Sequence, residues 1–152
     1  MGKAGHVAVN IAATLSSTGT PSIYIHPSEA QHGVLGMLQS NDVLLVISNS
    51  GRTREILDII TLAHDIYSQI PVIAITGNPD SELASNADYL LLTGNASEVC
   101  PFGYAPTTSI TLMSVIGDIL VVCTMKETGF TKEEYAKRHN EGSLGQKSRE
   151  EK

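Results

Sequence analysis

The stretch Val43-Leu44-Leu45-Val46-Ile47-Ser48-Asn49-Ser50-Gly51-Arg52-Thr53-Arg54-Glu55 decides how this chain reads. Its apolar first part has the character of a buried strand, and Ile56, Leu57, Ile59, Ile60 and Ala63 beyond it recur at helical spacing. Between them lies a hydroxyl-rich turn that opens the helix. Such a turn gathers unpaired N–H groups, the positive end of a helix dipole and several hydroxyl donors around one small volume. A phosphate group suits that volume. Helix capping alone explains one or two of these residues. Ser48, Ser50 and Thr53, together with Gly51 and Glu55, are more than a cap requires.

Outward from that turn, helical and strand patterns alternate. Helical patterns cover 5–15, 29–38, 53–69, 81–86 and 108–127. Strand patterns cover Ser22 to His26, Asp42 to Ile47, Val72 to Thr76 and Tyr89 to Leu92, with Gly77-Asn78-Pro79 closing the third. Continuous apolar strands separated by helices indicate a parallel sheet covered on both faces, an α/β doubly wound fold. Ligands in such sheets sit beyond the carboxyl ends of the strands. His26, Ser48, Ser50, Thr76 and Gly94 all fall there. The glycine turn Met1-Gly2-Lys3-Ala4-Gly5 runs straight into a helix, whereas in a doubly wound fold a central strand leads into such a turn. A strand is therefore expected ahead of Met1. The charged stretch Gln146 to Lys152 reads as a solvated, flexible tail after a domain spanning 1–145.

The bulk numbers narrow the partners. A chain of 152 residues is one domain with enough apolar content for a core. A net charge of −6 argues against a nucleic-acid surface, since the one basic cluster, Lys147-Ser148-Arg149, is diluted by Glu150 and Glu151. No apolar run is expected to span a membrane, and no signal peptide opens the chain. Cys100 and Cys123 are far apart and lack metal-ligand spacing, which suits a reducing cytoplasm.

Other polar groups stand where a core would not choose them. Lys3 at a helix mouth offers a mobile positive charge to an anion. His26 and His32 flank Glu29 within seven residues, a spacing open to a metal pair, a sugar-binding edge or a structural imidazole. Glu55, in the first helical turn, would repel a phosphate beside it and is expected to face a sugar hydroxyl, a Lys or a backbone donor. Glu98-Val99-Cys100-Pro101 lies in a loop stiffened by Pro101 and Pro106. A carboxylate fixed there is expected to have a raised pKa and to work as a proton shuttle. His139, followed by Gly142 and Gly145, suggests a loop folded back on something.

Together these segments resemble the sugar isomerase (SIS) domain, and within it the arabinose-5-phosphate isomerase branch in its form without CBS modules. The resemblance runs from Gly2 to Gly145. Ser48-Asn49-Ser50-Gly51 marks the wider group. Glu98-Val99-Cys100-Pro101 and His139 with Gly142, Leu144 and Gly145 point to the branch. The resemblance implies a three-layer αβα sandwich, lacking the family's N-terminal helices and first strand here. It implies reversible conversion of D-ribulose 5-phosphate to D-arabinose 5-phosphate through an enediol(ate), without a cofactor, supplying Kdo synthesis for lipopolysaccharide or capsule.

By matching positions, Lys3, Glu55, Glu98 and His139 would be catalytic. Gly19, Thr20, His26, His32, Gly94, Asn95 and Ala96 would contact substrate, and Ser48, Ser50 and Thr53 would hold its phosphate. Glu98 is favoured over Glu55 as the proton carrier, and either His139 or His32 would assist ring opening. In some relatives a His at the His26 position holds an inhibitory zinc, so a metal there would not be catalytic. A homodimer or homotetramer is also implied, with no nucleic-acid or membrane partner. Two readings stand beside this one: a non-catalytic module that senses a phosphosugar, and an isomerase of another sugar phosphate.

Overall fold

A computed structural model describes residues 1–150, the side chains of Leu144, Arg149 and Glu150 excepted. Helix α1 (Gly2–Ser17) opens the chain, and a short helix α2 (Pro27–Ala30) and a 3₁₀ turn (Val34–Met37) follow. The sheet and its crossovers come next: β1 (Leu44–Ile47), α3 (Arg54–Ile66), β2 (Val72–Thr76), α4 (Glu82–Ser85) and β3 (Tyr89–Leu92). The long α5 (Thr108–Glu127) and the helices α6 (Lys132–Arg138) and α7 (Gly142–Glu150) complete it.

The three strands are parallel in the order β1-β2-β3, with Leu44 paired to Val72 and Ile73 to Tyr89. Because side chains alternate across a strand, each strand feeds both faces of the sheet. Leu44, Val46, Val72 and Ala74 pack with α2, α3 and Leu83 of α4 on one face. Ile47 and Ile75 pack with Val7, Ile11 and Leu15 of α1 and Met113 and Val121 of α5 on the other. The result is the expected three-layer αβα arrangement. Among the described residues the strand order runs one way only, so β1 is an edge. A cleft of about 660 Å³ follows that edge, between α1 and residues 20–27.

Three expectations change here. Residues 22–26 do not join the sheet: the Ser22 N–H and C=O are both taken by the Ser16 hydroxyl, at 3.1 and 2.8 Å, rather than by β1. The charged segment after 145 continues α7 through Glu150, in keeping with the good helix propensity of Gln, Lys, Arg and Glu. Glu151 and Lys152 lie outside the described residues. Finally, α5 is 20 residues long with a mean hydropathy of 1.8, enough by length and composition to cross a membrane. One face of the helix, with Ser109, Met113, Gly117 and Val121, is buried against the rest of the chain. A Cβ on Gly117 would run into the Ile11 side chain, so Ile11 of α1 packs directly onto the α5 backbone against the sheet.

Candidate active site

A cavity of about 420 Å³ lies beyond the carboxyl end of β1. Met1, Gly2, Lys3 and Ala4 line it from the start of α1. Ser48, Asn49, Ser50 and Thr53 line it from the β1–α3 turn, and Pro106, Ser109 and Ile110 from the mouth of α5. Three helix N-termini therefore converge on one volume, each bringing a positive dipole end.

The mouth of α3 is open. Thr53 is its N-cap residue, yet its hydroxyl makes no capping bond and instead lies 3.2 Å from the Ser48 hydroxyl. Ser48 is buried and its Oγ accepts the Gly51 N–H at 3.3 Å. Gly51 adopts φ +63, a left-handed conformation that turns the chain sharply into the helix. The first-turn N–H groups of α3 are thus left without a side-chain cap, beside two serines and a threonine. Arg54 is drawn along the helix into a 2.8 Å ion pair with Asp58 and leaves the turn uncrowded.

The mouth of α5 is closed, and Glu98 closes it. Its Oε2 accepts the Thr107 N–H at 2.6 Å, the Thr107 hydroxyl at 2.9 Å and the Ser109 N–H at 3.3 Å. The Ser109 hydroxyl first, and then the Thr107 N–H, lower the Glu98 pKa from the ordinary 4.5 to about 2. The raised pKa expected for this residue is therefore not found. Donors outweigh desolvation because the carboxylate does the work of a helix cap. Glu98 still lines the cavity, and among the described residues it is the one carboxylate that does. In the same loop the Cys100 Sγ accepts the Tyr104 and Ala105 N–H groups, both at 3.1 Å. Those N–H groups, Ala105 foremost, lower the thiol from its ordinary 9.0.

Lys3, Ser48, Ser50, Thr53 and Glu98 are thus gathered around one space. Others are not. Glu55 sits in the first turn of α3 but does not line the cavity. Gly19 packs against Phe130, and Thr20 lines the cleft along β1. His26 caps α2 through Nδ1, accepting the Ser28 N–H, and His32 lies exposed in the turn after α2. Gly94, Asn95 and Ala96 form an exposed loop after β3. His139 ends α6, stacked on Tyr135 with ring centroids 3.8 Å apart. Thr76 does not line the cavity; it is fully buried, its hydroxyl donating to Asn49 O at 3.1 Å. Among the described residues, no three His, Cys, Asp or Glu side chains come together as a metal-binding group.

Asn49 was missed as a lining residue, although its place within the turn was a sufficient signal.

The SIS domain model matches residues 1–123. The chain belongs to the SIS family. It is 48% identical to the arabinose 5-phosphate isomerase KdsD of Shigella flexneri over 147 residues, 97% of this chain and 44% of that protein. The KdsD of Pseudomonas aeruginosa is 46% identical over the same shares. The chain thus spans under half the length of these curated relatives. Among solved structures, a Bacteroides fragilis protein described as a candidate phosphosugar isomerase involved in capsule formation is 63% identical. It matches with a TM-score of 0.90 over 91% of this chain and 72% of that one. An E. coli CFT073 protein in complex with arabinose 5-phosphate is 37% identical, with a TM-score of 0.82 over 88% and 70% of the two chains.

Proposed function

We propose that this SIS domain interconverts D-ribulose 5-phosphate and D-arabinose 5-phosphate, feeding Kdo synthesis for lipopolysaccharide or capsule. The observation that carries the reading is the pairing, in one cavity, of an uncapped helix mouth with an ionised carboxylate. Near-50% identity to arabinose 5-phosphate isomerases across nearly the whole chain supports the choice of sugar.

The phosphate sits at the mouth of α3, held by Ser48, Ser50, Thr53 and the free N–H groups. The carbon chain then extends toward Lys3 and Glu98. A base removes the C2 proton of the open-chain aldose, and the electron pair forms the C1–C2 double bond of an enediolate. Returning the proton to C1, while a proton passes from O2 to O1, yields the ketose. We assign the carbon proton to Glu98. Its Oε2 stays with Thr107 and Ser109 while Oε1 turns to the substrate. Held near 2, the resting carboxylate is a weak base. Substrate raises its basicity by displacing water and bringing negative charge. Lys3 offsets the enediolate charge.

Glu55 supports the turn from the helix. His139 or His32 completes the oxygen proton transfer from a neighbouring subunit, with Gly19, Thr20, His26 and the Gly94–Ala96 loop shaping the approach. The side chains supply every proton transfer, so no cofactor is invoked, and two unpaired thiols fit a cytoplasmic setting.

Assaying ribulose 5-phosphate, fructose 6-phosphate and sedoheptulose 7-phosphate side by side tests the reading. Turnover of the pentulose alone is expected. Conversion of another sugar, or of none, contradicts it.

A further inference from the structure

We propose that the loop from β2 to α4, and the Thr76 hydroxyl above all, is a bracket that aims the phosphate-binding turn without touching the ligand. The inference rests on the phosphate site proposed above. Every carbonyl from Asn49 to Gly51 is held from behind by that loop and the helix after it. Asn49 O accepts the Gly77 N–H at 3.0 Å and the Thr76 hydroxyl at 3.1 Å. Ser50 O is met by the Asn78 side-chain amide at 3.5 Å, and Gly51 O accepts the Leu83 N–H at 3.0 Å. Gly51 also lies so close to Ser81 that a Cβ there would overlap its side chain. The bracket is itself rigid. Thr76 Oγ1 accepts the Asn78 N–H at 3.3 Å, Ser81 Oγ donates to Asn78 O at 2.7 Å, and Thr76 and Ser81 are almost wholly buried.

The consequence follows from peptide planarity. In a trans peptide the C=O and the next N–H point in opposite directions. Two donors on Asn49 O therefore turn the Ser50 N–H away from the loop, and no acceptor among the described residues meets it. The neighbouring N–H groups are spent within the turn, Gly51 on Ser48 and Arg52 on the Ser50 hydroxyl. The Asn49–Ser50 peptide is thus the unit whose orientation Thr76 sets.

The test compares Thr76→Val, which keeps the shape and removes the hydroxyl, with Thr76→Ser, which restores it. Three quantities are read: KM for ribulose 5-phosphate, the inhibition constant of inorganic phosphate, and kcat. T76V is expected to raise the first two together by about tenfold, the scale of one misdirected hydrogen bond to an anion, with kcat within about threefold. T76S should return both to near wild type. A merely structural role would lower the active fraction, and so kcat, while leaving KM and the phosphate constant unmoved; that result overturns the proposal. If T76V does not fold, Asn78→Ala, at a half-buried position, is read the same way, and unchanged constants there overturn it equally. A wild-type protein that neither binds phosphate nor converts ribulose 5-phosphate would refute the parent reading instead.

Discussion

Glu98 does two jobs with one carboxylate, and they separate experimentally. As a cap for α5 it is held at about 2, below the ordinary 4.5. A group whose pKa is lower in the folded state stabilises the fold fully above its unfolded value and loses that effect as it protonates. Wild type should therefore lose stability as pH falls from about 5 to about 2, measured as the urea midpoint, while Glu98→Gln loses much less over that range. Parallel curves would contradict the capping role. For catalysis, Glu98→Gln keeps an acceptor for Thr107 but cannot take a proton. Turnover should drop more than about a hundredfold, the scale of a positioned base. Near-normal turnover would leave Glu98 a strap only. Ser48, Ser50 and Thr53 were legible in the sequence because their geometry is local to one turn. The state of Glu98 was not, because its partners lie nine and eleven residues further on at a helix mouth that only the fold brings to it.

At the scale of elements, the apolar runs of β1 and β2 meet helices on both faces of the sheet, whereas β3 pairs with β2 while leaving Tyr89, Leu90 and Leu92 exposed. The run from Ser22 to His26 stays out of the sheet, its first residue tied to the Ser16 hydroxyl through both N–H and C=O. Likewise, α5 is apolar all round, so its pattern marked a helix with no single buried face. Gly117 reveals the face that counts. Placing a methyl there forces α5 off α1 at Ile11. Gly117→Ala should cost about 1–3 kcal/mol, seen as a lower thermal midpoint. An unchanged midpoint would show that the two helices can part freely.

For the molecule as a whole, α5 still exposes Val115, Ile119 and Val122 at about half their surface. A row of apolar residues on one helix suits a second copy of the chain. Ile119→Glu should lower the mass measured by light scattering and reduce turnover with it. An unaltered mass would place any subunit contact elsewhere. The central claim, an oxyanion held at the open mouth of α3, is tested most directly by backbone amide NMR during titration with arabinose 5-phosphate. The account predicts that the amides of Ser50, Arg54 and Glu55 move first and furthest. Shifts confined to the cleft along β1, with the Ser48–Glu55 amides still, would contradict it.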